Sequence, residues 1–199
     1  MKKKVLVAMS GGVDSSVAAA LLLEQGYEVS GVTLKLYDNE DLGIDDKTRT
    51  CCSIFDVEDA QIVAQLLGFR HYVFNFGLYF QRDVMERFAD AYQKGETPNP
   101  CIDCNRYIKF SKLLERALLL GYDYIATGHY ARVEFDEKRQ RYLLKKAKDT
   151  SKDQTYVLYA MTQQELARTL FPLGDMLKSE VRKIAEEKDL VKIAIGFHW

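Results

Sequence analysis

Near its beginning the chain passes from an apolar strand into a turn rich in glycine and serine, and then into a helix. The strand covers Lys3 to Ala8, the turn reads Ser10-Gly11-Gly12-Val13-Asp14-Ser15-Ser16, and the helix continues from Val17 to Gln25. Glycines let the backbone approach a ligand closely, and the N–H groups that begin a helix attract anions. The turn therefore predicts a phosphate-binding site at the end of the first strand.

Asp14 sets a condition on this site, because a carboxylate repels a phosphate unless a cation lies between them. Magnesium binds carboxylate and phosphate oxygens together, so we predict that Asp14 holds Mg²⁺ with a nucleotide. The turn lacks both the spacing and the lysine of the GxxxxGK[ST] loop. An ordinary glycine-rich turn between a strand and a helix is the alternative interpretation.

Strand and helix patterns alternate along the chain, which predicts an α/β fold with a twisted parallel sheet covered by helices on both faces. The predicted strands are Lys4 to Ala8, Glu28 to Leu36, His71 to Asn75 and Tyr124 to Ala126. The predicted helices are Val13 to Gln25, Val57 to Leu67, Leu78 to Lys94 and Phe110 to Leu120, and a hairpin is predicted from Ala131 to Lys145. A ligand should lie at the carboxyl ends of the strands.

Length and composition limit the function classes. A chain of 199 residues with 47% hydrophobic content buries one α/β core. The net charge of -1 gives no overall basic field, so any RNA contact must come from a local patch. The apolar stretch Val5 to Met9 is too short for a signal peptide or a membrane span, and we expect a cytoplasmic protein without a membrane partner.

Two cysteines, Cys101 and Cys104, follow a proline-rich approach and precede a helix, and the helix terminus favours a thiolate. A thiolate there is a candidate nucleophile or sulfur carrier. Two metal interpretations stay open: half of a zinc site, or ligands of an iron-sulfur cluster. The adjacent pair Cys51-Cys52 is most simply structural and semi-buried.

Four motifs in this order resemble the tRNA-specific 2-thiouridylases, the MnmA/TrmU family. They are SGGVDSSV from Ser10, NPCxxCN from Asn99, ATGHYAR from Ala126 and KDQTY from Lys152. The first also resembles the SGGxDS loop of the PP-loop ATP pyrophosphatases. The resemblance implies an adenine nucleotide alpha hydrolase-like PP-loop domain over residues 1–145, followed by the start of a helical tRNA-binding segment over 146–199.

The resemblance also implies roles for individual residues. Cys104 matches the catalytic nucleophile, with Cys101 and Asp14 beside it in the catalytic set. Asn99, Pro100 and Cys101 match the stretch that meets the target base, and Lys152, Asp153 and Gln154 match a tRNA-contacting segment. The positions that match ATP-binding residues are Ala8, Met9, Ser10, Gly11, Gly12, Val13, Asp14, Ser15, Leu34 and Gly128.

The implied reaction is ATP-dependent 2-thiolation of the wobble uridine of tRNA. Uridine O2 is adenylated, and sulfur then comes from a cysteine persulfide loaded by a persulfide-donating sulfur carrier protein. In the family a second cysteine further along the chain releases the sulfur, but residues 190–199 do not match that continuation. The alternative is therefore an ATP- and tRNA-binding chain that cannot complete sulfur transfer alone.

Two further expectations concern residues outside the motif roles. The aromatic residues at helical spacing are expected in the core rather than as platforms for stacked bases; they are Phe80, Phe88, Tyr92, Tyr156 and Tyr159. His129 is expected to be a satisfied residue at a strand end, because neither adenylation nor thiolate attack requires it as a base.

Overall fold

The structure is a computed structural model that describes residues 2–37 and 54–190, without the side chains of Ile54 and Phe55. Five parallel strands form one sheet in the order β3-β2-β1-β4-β7. They are β1 (Lys4–Ala8), β2 (Glu28–Lys35), β3 (Arg70–Asn75), β4 (Tyr124–Thr127) and β7 (Thr169–Leu170). The predicted hairpin is confirmed as β5 (Ala131–Asp136) and β6 (Arg141–Lys146).

Helices connect the strands. They are α1 (Val13–Glu24), α2 (Ile54–Leu67), α3 (Gly77–Phe80), α4 (Glu86–Gln93), α5 (Pro100–Asp103), α6 (Leu113–Leu119), α7 (Gln163–Ala167) and α8 (Lys178–Glu187). A π-helical stretch, Gln81–Met85, joins α3 to α4, and a second one, Cys104–Lys112, joins α5 to α6. Within the described residues, no helix has the length and apolar content needed to cross a bilayer.

The first strand is buried on both faces, because its side chains alternate between two cores. Val5 and Val7 pack with α1 and α8 on one face, whereas Leu6 packs with Phe110 and the helices around it on the other. A strand apolar on both faces is what a parallel sheet between two helical layers requires. The predicted fold class is confirmed.

The strand order places a crevice beside the glycine-rich turn. From β1 the chain builds β2 and β3 outward on one side, then returns to build β4 on the other side of β1. Ala8 and Thr127, the last residues of β1 and β4, lie opposite each other in the register. Connections that leave two neighbouring strands in opposite directions open a ligand crevice at their carboxyl ends.

Residues after the predicted boundary at 145 add to the same sheet and core. β7 pairs with β4, and α8 packs against α1 with Val181 and Ala185 in the core that holds β1. Lys188, which follows the last residue of α8, also donates to Glu24 of α1. Within the described residues, therefore, the second predicted unit shares the hydrophobic core of the first, and its role in tRNA binding stays a prediction.

The predicted helix from Phe110 begins earlier than expected. The helical path starts at Pro100, whose missing N–H is tolerated in the first turn, and runs through the π-helical stretch into α6. Both cysteines thus lie at the start of this helix, as the sequence predicted. The predicted loop from Asp38 to Cys52, with Cys51 and Cys52, and residues 191–199 fall outside the described residues.

The core interpretation of the aromatic residues is wrong for four of the five. Phe80 packs against the core that holds Leu6 and Phe110. The exposed fractions of the other four are 38% for Phe88, 70% for Tyr92, 62% for Tyr156 and 67% for Tyr159. Phe88 and Tyr92 lie in α4, and helical spacing alone does not fix which face of a helix is covered. Tyr156 lies in a short 3₁₀ turn and Tyr159 in the turn that follows it, so helical spacing does not apply to them.

Candidate nucleotide-binding site

The turn after β1 is shaped to accept an anion. Gly11 has a left-handed φ of +68°, and a Cβ there would lie 2.9 Å from the carbonyl oxygen of Asp56. Gly12 caps α1 without any side-chain hydrogen bond to the first turn of the helix. The N–H groups of that turn are therefore left for a bound ligand, which is the arrangement predicted from the sequence.

The serines brace the turn from within. The Ser15 and Ser16 hydroxyls both donate to the carbonyl oxygen of Gly12 at 3.0 Å. The backbone N–H of Ser10 donates to Ser15 Oγ at 3.3 Å. The hydroxyls of Ser15 and Ser16 thus hold the loop conformation, while the exposed Ser10 lines the cavity beside it.

A cavity of about 240 Å³ lies at the carboxyl ends of β1, β2 and β4. One wall is apolar and comes from Val32, Leu34 and Leu36. Seven of the ten residues predicted to bind ATP line it, namely Ala8, Met9, Ser10, Asp14, Ser15, Leu34 and Gly128. The other three, Gly11, Gly12 and Val13, lie in the adjoining loop and the first position of α1. Residues far apart in sequence thus meet around one space.

Gly128 brings the end of β4 against the start of α1. A Cβ at this position would lie 2.8 Å from the backbone nitrogen of Ser15 and 2.9 Å from the carbonyl carbon of Asp14. Contacts this short do not occur, so a larger residue would displace the helix start or the strand end. The absence of a side chain at Gly128 therefore sets the width of the phosphate-binding turn.

Asp14 is held by two donors from distant parts of the chain. Its Oδ1 accepts from the Tyr130 hydroxyl at 2.9 Å and from Lys178 Nζ at 2.5 Å. The Lys178 ammonium also lies 5.7 Å from the centre of the Tyr130 ring. Burial, reinforced by the charge of Asp14, raises the pKa of Tyr130, so its hydroxyl stays protonated and remains a donor.

The donor set is compatible with magnesium bound together with a nucleotide. Magnesium commonly takes one or two carboxylates and completes its shell with phosphate oxygens and water. Among the described residues, Asp14 is the one carboxylate that lines the cavity. Within the described residues no three His, Cys, Asp or Glu side chains gather as a metal site, so the phosphates would supply the remaining ligands.

His129 follows β4 and faces the same cavity in a neutral state. Its Nδ1 lies 2.8 Å from Thr127 Oγ1, and its ring packs against those of Phe110 and Phe171. Burial, helped by the positive charge of Lys109, lowers the pKa of His129 to about 3. The imidazole is therefore hydrogen-bonded and uncharged, consistent with the expectation of a satisfied strand-end residue.

This low pKa predicts a loss of stability in mild acid. As the pH falls from about 6.5 toward 3, His129 gains a proton in the unfolded chain but not in the folded one, so unfolding is favoured. Its contribution to the slope approaches about 1.4 kcal/mol per pH unit. We expect chemical denaturation between pH 7 and 4 to show a shallower pH dependence for His129→Gln than for the original chain. If the free energy of unfolding depended on pH equally in both proteins, the low pKa assigned to His129 would be wrong.

The segment that carries the cysteines approaches from the other side of the sheet. Asn99 caps α5, because its Oδ1 accepts from the backbone N–H of Cys101 at 3.0 Å. Cys101 is exposed and Cys104 is half-buried, and within the described part of the chain neither forms a disulfide. Asn99, Pro100 and Cys101 do not line the cavity; they form an exposed rim on the helix that leads to it.

The number of ligating side chains near the cysteines bears on the two metal interpretations. Iron-sulfur clusters usually take four cysteine thiolates, and structural zinc takes four cysteine or histidine ligands. The described residues supply two cysteines, Cys101 and Cys104, without a third ligating side chain gathered beside them. Two thiolates alone do not complete either site, and Cys51 and Cys52 lie outside the described residues, so the cluster and the zinc site stay predictions.

The three residues predicted to contact tRNA differ in their surroundings. Gln154 lines the cavity, and its Oε1 and backbone N–H pair with the backbone N–H and carbonyl of Tyr130 at 3.0 and 2.9 Å. The Asp153 carboxylate accepts from the backbone of Ala147 and the hydroxyl of Thr155. Lys152 is exposed. Asp153 thus shapes the segment, whereas Lys152 is accessible to a ligand.

Sequence reasoning assigned no role to Lys109, Tyr130 or Lys178, although each side chain reaches the site. Tyr130 stands in the ATGHYAR motif, so its proximity could have been anticipated. Lys178 is 164 residues from Asp14, and only the packing of α8 on α1 brings them together. Lys109 lies on the helix after Cys104 and lines the cavity. No local pattern marks either lysine.

The fold and this cavity define an adenine nucleotide alpha hydrolase-like domain of the PP-loop class. Residues 3–194 match the model of the family described as "tRNA methyl transferase HUP domain", and the chain belongs to that family.

Curated relatives support this assignment. The chain is 58% identical over 188 residues to the tRNA-specific 2-thiouridylase MnmA of Caldicellulosiruptor saccharolyticus. The match covers 94% of this chain and 52% of that protein. It is 55% identical to MnmA of Desulforamulus reducens, over 96% of this chain and 52% of the relative. The chain thus spans about half the length of the curated relatives it matches. The resemblance to the 2-thiouridylases is confirmed.

Among solved structures, the fold is similar to that of a 4-thiouridine synthetase determined as a complex with RNA and bound ATP. The TM-score is 0.63 at 18% identity, and the match covers 97% of this chain and 42% of that one. At this identity the likeness establishes the fold alone.

Proposed function

We propose that this chain forms the ATP-binding part of a tRNA 2-thiouridylase and that it adenylates O2 of a tRNA uridine. The observation that carries the proposal is the convergence of seven predicted ATP-binding residues on one cavity at the carboxyl ends of β1, β2 and β4. The relatives named as 2-thiouridylases support the choice of acceptor.

The two walls of the cavity suit the two ends of ATP. The apolar wall of Val32, Leu34 and Leu36 is fitted to the adenine ring, and the turn at Gly11 and Gly12 is fitted to the phosphates. Magnesium at Asp14 would offset the charge of the phosphates. Uridine O2 would attack the α-phosphorus, the bond to the β-phosphate would break, and pyrophosphate would leave with the electron pair.

Adenylation turns a carbonyl oxygen into part of a good leaving group, AMP. The terminal sulfur of a persulfide on Cys104 would then attack C2, so that AMP leaves with the former O2. A second thiolate would next attack the Cys104 sulfur, which forms a disulfide and releases the thiouridine. A sulfur carrier protein would reload the persulfide after a reductant has opened that disulfide.

The test of this function is a Cys104→Ala variant. We expect it to lose thiolation of tRNA entirely, because no sulfur atom is then held beside the activated uridine. ATP affinity should stay within about twofold of the original, since Cys104 does not line the cavity. Thiolated tRNA is measured by its retardation in a gel that contains a mercury reagent, and ATP binding by titration calorimetry.

Cys101→Ala on the same helix is the matched comparison, because Cys101 is exposed and precedes the nucleophile by three residues. Full thiolation by Cys104→Ala would refute the assignment of the nucleophile. The alternative, a chain that only binds ATP and tRNA, predicts no repeated turnover with tRNA, a sulfur donor and a physiological reductant. Several turnovers per chain would exclude that alternative.

A further inference from the structure

Lys109 is a cation that lines the cavity, and within the described residues it has no partner from the protein. Its side chain is half-buried and lines the same cavity as Asp14 and Gly128. Within residues 2–37 and 54–190, Lys109 takes part in no hydrogen bond and no ion pair. Lys178, by contrast, is paired with Asp14. A partly buried ammonium without a counter-charge favours an anionic ligand.

The charges around Lys109 leave it available to a ligand. Among residues 2–37 and 54–190, Asp14 is the one carboxylate in the cavity lining, and its Oδ1 already accepts from Lys178 and Tyr130. His129 lies close enough for the charge of Lys109 to lower its pKa further, and it is neutral at physiological pH because burial lowers that pKa to about 3. A bound phosphate would therefore enter a positively charged cavity. Lys109 would donate a hydrogen bond to it from the side of the cavity where His129 lies.

The π-helical stretch explains how Lys109 reaches this position. In an α-helix, residues five apart point in directions that differ by about 140°. In a π-helix the backbone bond runs from residue i to i+5, so residues five apart lie on successive turns. Cys104 and Lys109 are the first and sixth residues of the stretch Cys104–Lys112. The stretch therefore places the ammonium one turn after the cysteine, toward the nucleotide cavity.

The location of Lys109 also indicates which phosphate of the nucleotide it would contact. α1 and its phosphate-binding turn belong to the core on one face of the sheet, whereas the π-helical stretch belongs to the core on the other. The turn at Gly11 and Gly12 is fitted to the pyrophosphate that leaves. A cation that approaches from the cysteine side would meet the phosphate nearest the acceptor, which is the α-phosphate.

We propose that Lys109 binds the α-phosphate of ATP and stabilises the negative charge that develops there as uridine O2 attacks. The inference rests on the proposed function and adds the residue that neutralises the transferred group. The O2–Pα bond forms as the bond from Pα to the pyrophosphate oxygen breaks, so no oxidant or reductant is needed. Lys109 keeps its proton throughout and donates hydrogen bonds to a non-bridging oxygen.

The test compares Lys109→Met, which keeps much of the side-chain length without the charge, with Lys109→Arg, which keeps the charge. Calorimetry measures the affinities of the chain for ATP, AMP and inorganic pyrophosphate. For Lys109→Met we expect roughly 10- to 100-fold weaker binding of ATP and AMP, because a charge-assisted hydrogen bond is lost. Pyrophosphate affinity should be unchanged, and Lys109→Arg should recover most of the loss.

Lys112→Met is the matched control. Lys112 lies on the same π-helical stretch, but it pairs with Glu115 at 2.9 Å and does not line the cavity. Its ATP affinity should equal that of the original chain, with equal thermal stability for all four proteins.

Two outcomes would overturn the inference alone: unchanged AMP affinity in Lys109→Met, or a loss confined to pyrophosphate. A failure of the original chain to bind ATP would instead overturn the proposed function, and this inference with it. The original chain therefore serves as the reference that tells the two failures apart.

Discussion

Replacement of Gly128 by alanine is expected to weaken ATP binding by roughly 10- to 100-fold, the effect of losing a charge-assisted hydrogen bond. The added Cβ would lie 2.8 Å from the backbone nitrogen of Ser15 and 2.9 Å from the carbonyl carbon of Asp14. Backbone cannot move aside as the end of a side chain can. The first turn of α1 must therefore shift, and with it the N–H groups that point at the phosphates. Titration calorimetry with ATP measures the change.

Gly77→Ala is a suitable control for this prediction. A Cβ at Gly77 would come no closer than 3.3 Å to another atom, the position needs no left-handed φ, and the residue lies outside the cavity. ATP affinity should therefore be unchanged in Gly77→Ala. If Gly128→Ala bound ATP as well as Gly77→Ala does, the close approach of β4 to α1 would not determine the geometry of the turn.

Local sequence was sufficient to predict most of the architecture. The apolar run from Lys4 to Ala8 and the glycines after it specify a strand, a turn and a helix within one short segment. The hairpin around Asp136 was equally readable, because alternating apolar residues flank a polar turn. Each of these elements is specified by residues within its own segment. Contacts with distant parts of the chain are therefore not needed to predict it.

The parts of the site that escaped prediction depend on contacts between distant elements. Lys178 reaches Asp14 only because α8 packs on α1, and a two-residue strand such as β7 has too little pattern to be recognised in sequence. Lys109 was missed for a different reason. The predicted helix began at Phe110, whereas the helical path starts at Pro100 and carries Lys109 in its π-helical stretch. Phe88 and Tyr92 were misplaced because periodicity does not state which face of a helix is covered, and Tyr156 and Tyr159 because they do not lie in an α-helix.

The segment that brings Lys178 to the site depends on Gly174. A Cβ at Gly174 would lie 2.0 Å from the carbonyl oxygen of Ala131 and 2.7 Å from Cγ of Arg132. The residue cannot easily retreat, because its N–H donates to the carbonyl of Phe171 at 3.1 Å and its carbonyl accepts from Lys148 at 2.8 Å. Gly174 therefore locks the start of the hairpin to the chain that leads into α8.

Gly174→Ala is accordingly expected to destabilise the protein by about 3 kcal/mol, the upper part of the usual range for overpacking. For a chain of this size the melting temperature should fall by roughly 6 to 12 °C in calorimetry. Gly95→Ala is the comparison, because Gly95 has a φ of +79° with open space around it, so alanine there costs only about 1 to 2 kcal/mol of backbone strain. A smaller loss in Gly174→Ala than in Gly95→Ala would mean that the hairpin and the chain before α8 can separate, and that Lys178 is not held at Asp14 by this contact.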